Sequence, residues 1–246
     1  MPSISMRIPG SDLAAWLKTG LKNIGIEELI MATAAPSVSP YFKKEHQLLR
    51  EQIRRLVDEE VVPHAEQWEE EGKVPREVLK TFGEMGVLGI RIPEEYGGSG
   101  MDVMASVVLA EELSRSTFGG FNITVLVHTD MASPHLVRYG TEEQKQRWLP
   151  DIVSGEKMTA IAVTEPDAGS DVAAIRTRAV RDGDHYVLNG AKMFITNGYY
   201  GDLAFVAART DAQAKGSRGL SVFAVERGTP GFSAPVKLDK HGWRCS

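Results

Sequence analysis

Polar, small and turn-forming residues are concentrated in one stretch, AVTEPDAGSD, at residues 162–171. The apolar lead-in at residues 159–161 predicts a strand that ends near Thr164, and Pro166 and Gly169 are typical of a turn. A strand that ends in a loop rich in N–H groups and hydroxyls could hold a flat ring with polar edges and a nearby pyrophosphate. The same residues also fit a plain strand that a proline and a glycine terminate, and spacing alone leaves both interpretations open.

A second segment with suitable side chains is FIT, at residues 194–196, directly before an Asn-Gly pair. In the binding interpretation, Thr164 and Thr196 would donate hydrogen bonds to ring heteroatoms, and Phe194 would cover one face of the ring. Ser170 would reach a phosphate. The sequence therefore predicts one candidate site made of two strand-end segments that are distant in the chain.

Other chemical motifs receive weaker support. Gly97-Gly98-Ser99-Gly100 lacks the Lys-Ser/Thr pair of a phosphate loop and the third glycine of a dinucleotide site, so we expect a structural turn. The six histidines are not at metal-ligand spacing with each other or with the one cysteine, and we expect no metal site. The G-x-S-x-G spacing of a hydrolase nucleophile is absent around the glycine-flanked serines.

Composition indicates a globular protein that does not bind nucleic acid. The chain has 246 residues, 42% hydrophobic and 25% charged, with a net charge of −5. A single cysteine, Cys245, excludes an internal disulfide and suits a reducing compartment. No signal-peptide pattern or membrane-spanning apolar stretch is found, so we expect a soluble, cytoplasmic protein.

Hydrophobic periodicity divides the chain into an α+β arrangement. Residues 1–40 predict an extension or linker, with a possible short helix at 11–21. Residues 41–156 predict an all-helical domain, because apolar residues recur at steps of three and four. The predicted helices lie at 49–61, 76–85, 103–116, 121–128, 132–139 and 142–153, the last with Thr141 as N-cap.

Residues 157–246 predict an antiparallel β-domain. Short segments rich in β-branched and aromatic residues alternate with Asp-Gly and Asn-Gly turns. The predicted strands are TAIAVTE, IRTRAVRD, HYVLN, KMFIT, LAFVAART and GLSVFAVER. Their spacing favours hairpins over alternating βαβ units.

The motifs together resemble a known family. AVTEPDAGSDVAAIRTRA followed by NGAKMFITNG is similar to the flavin-contacting signature of the acyl-CoA dehydrogenases. IPEEYGGSGMD, YGTEEQKQRWLPDIVSGE and KLDKHGWRCS are similar to further family segments in the same order. The resemblance covers residues 41–246, and five ordered motifs are far more specific than any single one.

The resemblance implies a helical domain, a middle β-domain and a C-terminal four-helix bundle, with FAD between the β-domain and the bundle. It implies a flavin wall along residues 161–170 and a second wall at 194–196, with Thr196 near the reactive nitrogen. It implies that Ser170 contacts FAD phosphate or the CoA part of the substrate. The cofactor-binding residues implied in this way are Ile161, Ala162, Val163, Thr164, Gly169, Ser170, Phe194, Ile195 and Thr196. Two positions depart from the common pattern, Phe194 in place of tryptophan and Asp167 in place of glycine.

The implied reaction is α,β-dehydrogenation of a fatty acyl-CoA thioester to a trans-2-enoyl-CoA. A carboxylate base removes the α-proton while the β-hydrogen leaves as hydride to FAD, and an electron-transfer flavoprotein accepts the electrons. The resemblance also implies a homo-oligomer, a dimer or tetramer, and a place in fatty acid oxidation. For a eukaryotic protein it implies the mitochondrial matrix as the compartment.

The family glutamate base belongs to the bundle, so the resemblance places it beyond Ser246 and leaves Glu165 in a cofactor-binding loop. The sequence is therefore expected to be a truncated member with an incomplete β-domain and impaired activity. Two alternatives remain open: a flavoprotein monooxygenase or oxidase of the same fold, and a non-catalytic remnant or interaction module.

Overall fold

The computed structural model describes residues 39–246, and the predicted extension and its helix at 11–21 lie almost wholly outside them. Helices fill the first part of the described chain, as the 3.6-residue periodicity predicts. In chain order they are α1 Lys44–Leu56, α2 Ala65–Glu71, α3 Arg76–Glu84, α4 Val103–Ser114, α5 Gly119–Leu126, α6 Ser133–Tyr139 and α7 Glu142–Val153.

Local signals account for the best-predicted helix, α7. The Thr141 hydroxyl accepts a hydrogen bond from the Gln144 N–H at 3.2 Å, and the Gln144 side chain accepts one from the Thr141 N–H at 2.9 Å. This capping box satisfies two backbone donors that the first turn of a helix leaves free. Both helix bounds and the N-cap agree with the prediction.

Two helices continue into π-helical turns that the periodicity does not reveal. Residues Val57–Val61 extend α1, and Val127–Ala132 join α5 to α6. The predicted helix at 49–61 is therefore α1 plus one π-helical turn. Helix α2 was not predicted, because its sequence, AEQWEEE, buries only an alanine and a tryptophan and shows little periodicity.

The sheet is mixed, so the prediction of an antiparallel β-domain is wrong in part. Its strands are β1 Thr159–Ala162, β2 Arg178–Asp182, β3 His185–Asn189, β4 Leu203–Arg209 and β5 Leu220–Glu226. The pairs β2–β3 and β4–β5 are antiparallel as predicted. Strand β1 pairs in parallel with β4, and β2 meets the end of β4 in parallel. Turn residues specify hairpins, but they carry no information on pairing between strands that are distant in sequence.

The predicted strand KMFIT, at residues 192–196, is not a strand. Phe194 has φ 59° and Asn197 has φ 63°, in the left-handed region, which interrupts any regular β-ladder. A Cβ on Gly190 would lie 2.3 Å from the Thr177 hydroxyl oxygen, so only glycine fits directly after β3, and no strand follows before β4.

One apolar core joins the helices to the sheet. Its buried helical members lie mainly on α6 and α7, and its sheet members, Leu203 and Phe205, lie on β4. Residues Lys43–Ser246 form one compact unit by their contacts. Within residues 39–246, no helix combines the length and the apolar character that a membrane crossing requires.

Candidate functional site

The predicted site begins where β1 ends. After Ala162 the chain leaves the sheet, and a tight turn follows in which the Glu165 N–H donates to the Ala168 carbonyl at 2.8 Å and the Ala168 N–H donates back at 3.2 Å. Pro166 and Asp167 occupy the centre of this turn, and proline is favoured at its first central position. The chain therefore reverses at the strand end and exposes the loop that contains Gly169 and Ser170.

The Glu165 carboxylate is the best-connected group of the strand-end loop. It accepts hydrogen bonds from the Arg176 N–H at 2.7 Å, the Thr177 N–H at 2.9 Å and the Thr177 hydroxyl at 2.5 Å. The Lys192 ammonium completes the set at 2.8 Å, and both charged side chains are largely buried, 11% and 6% exposed. Four donors thus fix one buried carboxylate.

The pKa of Glu165 shows which form this arrangement favours. Burial by itself raises the pKa, because it disfavours the charged form, but hydrogen bonds from Lys192, Thr177 and two backbone amides outweigh it. The pKa falls to about 2. Glu165 is therefore ionised, and its carboxylate accepts four hydrogen bonds that hold the loop in place. It is too weak a base to remove a proton at neutral pH.

The second predicted segment lies against the first. Besides its contact with Glu165, Lys192 donates to the Val163 carbonyl at 2.8 Å, and the Met193 N–H donates to the Thr164 carbonyl at 2.9 Å. Ile195 packs on the buried cluster that contains Ala162. The structure therefore brings together two segments that are about 30 residues apart in the chain.

Phe194 and Asn197 give the second segment its shape. Both have left-handed backbone conformations, which cost a non-glycine residue free energy and persist only where surrounding contacts enforce them. The Asn197 amide supplies such contacts, since it donates to the carbonyls of Thr124 and Thr159 at 3.0 Å each. Phe194, by contrast, is 68% exposed, so the strained backbone presents an aromatic ring at the surface beside the strand end.

Thr196 and the end of the chain also meet at this site. The Ser246 hydroxyl donates to the Thr196 hydroxyl oxygen at 3.0 Å. The Thr196 side chain is half-buried, and Ile161 and Val163 pack against neighbouring core clusters. Thr196 therefore lies between the second segment and the last described residue, a contact that sequence spacing does not predict.

The carboxylates of the loop all have partners within the chain. Glu165 is neutralised by Lys192, Asp167 pairs with Arg176 at 3.3 Å, and the Asp171 carboxylate accepts from the Ala173 N–H at 3.1 Å. Each carboxylate near the loop is thus engaged elsewhere. The exposed ring of Phe194 and the exposed Ser170 lie at the surface, so the residues present fit a group that combines a flat ring with phosphate.

Sequence reasoning identified both segments but missed the residues that join them. Glu165 was predicted only to lie in a cofactor-binding loop, and Lys192, Thr177 and Asn197 were not predicted to take part. A lysine two positions before Phe194 was the only available signal, and without a known partner it is indistinguishable from a surface lysine.

The glycine-rich turn at 97–100 is structural, as predicted. The N–H groups of its four residues donate to the carbonyls of residues 94, 93, 89 and 92, respectively, so none is free to bind phosphate. A Cβ on Gly98 would lie 2.0 Å from the Ile92 carbonyl oxygen, which explains this glycine.

Among the described residues, one cluster could offer ligands to a metal ion: Glu45, His46 and Asp102, whose ligand atoms all lie within 4.8 Å of one another. The His46 ring is already used, because Nδ1 accepts from the Lys43 N–H at 3.0 Å and Nε2 lies 2.9 Å from Asp102. Lys43 also donates to Asp102 at 3.1 Å. The cluster therefore ties the start of α1 to the start of α4.

Comparison with known proteins identifies the class to which this fold and site belong. Residues 43–156 match the family model "Acyl-CoA dehydrogenase, N-terminal domain", and residues 160–246 match "Acyl-CoA dehydrogenase, middle domain". The chain belongs to the acyl-CoA dehydrogenase family.

Individual relatives agree with this assignment. The mitochondrial long-chain specific acyl-CoA dehydrogenase of Mus musculus is 43% identical over 207 residues, which cover 83% of this chain and 47% of the relative. The crystal structure of an acyl-CoA dehydrogenase from Geobacillus kaustophilus has a TM-score of 0.80 and 46% identity, covering 84% of this chain and 54% of that one. The structure of an acyl-CoA dehydrogenase from Bacillus anthracis complexed with FAD has a TM-score of 0.75 and 37% identity, and the match covers 83% of this chain and 34% of that one. The chain thus spans about half the length of the curated relatives it matches.

Proposed function

We propose that this chain supplies the helical and β-sheet parts of an FAD-dependent enzyme that dehydrogenates fatty acyl-CoA thioesters to trans-2-enoyl-CoA. The observation that carries the proposal is the contact between the strand-end segment 161–170 and the segment 192–196, in a chain of this family. FAD would supply hydride acceptance when bound. Electrons would pass to an electron-transfer flavoprotein, and the whole enzyme would be a homo-oligomer.

The chain's own residues would hold and orient the cofactor. The ring would lie along Val163 and Thr164 with Phe194 covering it, the Thr196 hydroxyl would donate at its edge, and Ser170 would contact a phosphate of FAD or of CoA. Glu165 would keep the loop in place without competing for protons, because Lys192 and Thr177 hold it ionised. Main-chain and hydroxyl donors at such a site suit an anionic group better than free carboxylates would.

The proposal assigns the catalytic base to a residue outside this sequence. The carboxylates around the described loop, at Glu165, Asp167 and Asp171, are each held by a hydrogen bond or ion pair. A thioester α-proton is removed only by a base held in a dry site that also stabilises the developing oxyanion. We therefore expect the 246-residue chain alone to bind FAD weakly and to show no turnover.

A chimera tests the function directly. Residues 43–246 are joined to the C-terminal helical domain of the Geobacillus kaustophilus relative, and acyl-CoA oxidation is followed with an artificial electron acceptor. We expect the chimera to hold FAD and to oxidise saturated acyl-CoA, and we expect Phe194→Ala and Thr196→Ala to weaken FAD binding. Val236→Ala, at a residue 69% exposed, is the control. A folded chimera that holds FAD but oxidises no acyl-CoA would refute the proposed reaction.

A further inference from the structure

A cavity lies beside α3 and α5, outside residues 161–170. Its volume is about 160 Å³, and its lining comes from the segment before α3, from α3, from α5, from residues 197–201, and from Met158 and Cys245. About five water molecules would occupy that volume at liquid density. No lining residue is acidic, whereas Lys73 and Arg76 both line the cavity, and Arg76 pairs with the Asp202 carboxylate outside the lining.

Arg76 has an unused donor in this wall. Its Nη2 is shared by the Asp202 carboxylate at 2.7 Å and the Tyr200 carbonyl at 2.9 Å. Its Nη1 is buried and has no hydrogen-bond partner among the described residues. A buried N–H of a charged group without an acceptor is costly, so this geometry calls for an acceptor inside the cavity.

Two further features favour an anion as that acceptor. Helix α3 begins at Arg76 after Pro75, which provides no side-chain cap, so the positive end of the helix dipole adjoins the cavity, with Glu77 as the acidic residue of the first turn. The Lys73 and Lys237 ammonium groups each lie 5.8 Å from the centre of the Tyr200 ring, on the same part of the surface. Among the described residues, Lys73 has no carboxylate within ion-pair distance, so its charge is available.

We propose that this cavity binds a small oxyanion, either a carboxylate or a phosphate group, through Arg76 and Lys73. The Arg76 guanidinium donates to the oxyanion through Nη1, while its Nη2 remains paired with Asp202. The Lys73 ammonium contacts the oxyanion from the surface side of the cavity. The volume admits a group of a few heavy atoms and excludes a nucleotide. The cavity contains none of residues 161–170, although its lining residues Asn197 and Cys245 are next in the chain to Thr196 and Ser246. Its occupancy does not depend on dehydrogenase activity.

Calorimetric titration of the full 246-residue chain tests the site, with sodium phosphate in one arm and sodium acetate in the other. Sodium chloride keeps the ionic strength constant, and neither flavin nor acyl-CoA is present. Saturable binding of phosphate alone indicates a phosphate-bearing ligand, and binding of acetate alone indicates a carboxylate. Either result supports the site if the affinities of the three variants also change as expected.

Three variants locate the binding. Arg76→Met removes the unused donor, and we expect affinity to fall about tenfold or more, as for other hydrogen bonds to charged groups. Lys73→Met changes an exposed side chain, leaves the Arg76–Asp202 pair intact, and is expected to weaken binding severalfold. Lys215→Met, at another exposed lysine, should leave affinity unchanged. Absence of saturable binding to the folded chain, or equal affinity in Lys73→Met and the parent, would overturn the proposal.

Discussion

His128 shows how one buried side chain positions a strand. Its Nε2 donates to the Ile152 carbonyl at 3.0 Å, and its Nδ1 accepts from the Thr159 N–H at 3.0 Å, which assigns the neutral tautomer. Thr159 is the first residue of β1, and its carbonyl accepts from Asn197. His128 and Asn197 therefore hold the start of the strand whose far end carries Val163 and Thr164.

The pH dependence of stability should report on His128. Burial lowers its pKa from 6.5 to about 4. Between those values the unfolded chain binds a proton that the folded chain does not, so stability falls as pH decreases from 6.5 to 4, by about 3 kcal/mol in all. Urea unfolding at a series of pH values measures this. In His128→Gln the slope in this window should largely disappear, and an unchanged slope would contradict the assignment.

A separate window belongs to Glu165. The pKa of Glu165 is about 2 in the folded state, below the ordinary 4.5. Its contribution to folding stability is therefore complete above pH 4.5 and is lost as pH falls towards 2. Because the two pH ranges barely overlap, the loss of stability between pH 6.5 and pH 4.5 separates the effect of His128 from that of Glu165.

Neither His128 nor Asn197 could be singled out from the sequence. None of the six histidines is at metal-ligand spacing, so the sequence offers no reason to choose His128 over the other five. The partners of His128 and Asn197 lie 24, 31 and 73 residues away, at Ile152, Thr159 and Thr124. A hydrogen bond over such separations follows from tertiary packing, which periodicity does not encode.

At the scale of elements, Lys192 joins the two halves of the candidate site. The Glu165–Lys192 pair is largely buried, so removing one partner leaves the other charge without compensation. We expect Lys192→Met to lower the free energy of unfolding by about 3 kcal/mol. Denaturant unfolding of the two proteins measures the difference.

Lys157→Met is the matched control for this substitution. Its partner is Asp151, and the two side chains are 30% and 43% exposed, so the loss should be below about 1 kcal/mol. If both lysine substitutions cost the same, the buried pair would not be what holds the second segment in place.

The sequence predicted most elements but not how the strands are arranged. Five of the six predicted strands exist, and α7 has the predicted bounds, because hairpin turns and a capping box are local signals. The sixth, KMFIT, has a β-rich composition, yet its contacts with Thr164 and Val163 hold it outside the sheet. The parallel pairing of β1 with β4 joins residues 44 apart and depends on how the helices pack on both strands.

The recognition of the candidate site rests on a different kind of signal. Spacing alone left residues 162–171 open between a flavin wall and an ordinary strand end. The ordered motifs indicated the family, which the comparisons confirm. The roles of the individual site residues stay predictions.

At the scale of the whole molecule, the helical and β-sheet parts share one core. Trp148, Leu149 and Ile152 of α7 are buried in the same cluster as Leu203 and Phe205 of β4. The boundary predicted near residue 156 therefore separates two sequence patterns, while the buried apolar surface continues across it. Elements that share a core lose it together when either part opens.

Phe205→Ala tests this coupling. Phe205 is 3% exposed and stacks on His135 of α6 with ring centres 6.3 Å apart, so its removal opens a cavity against the helices. We expect a loss of about 4 kcal/mol in unfolding free energy. In native-state hydrogen exchange, the amides of α7 should lose as much protection as the amides of β5, because both become exposed only when the common core opens.

Val222→Ala, at a β5 residue 48% exposed, is the control, and it should leave the protection of both groups of amides unchanged. Protection lost in β5 but retained in α7 would mean that the helices fold as a unit of their own, and the predicted boundary would then be a boundary of stability as well as of sequence pattern.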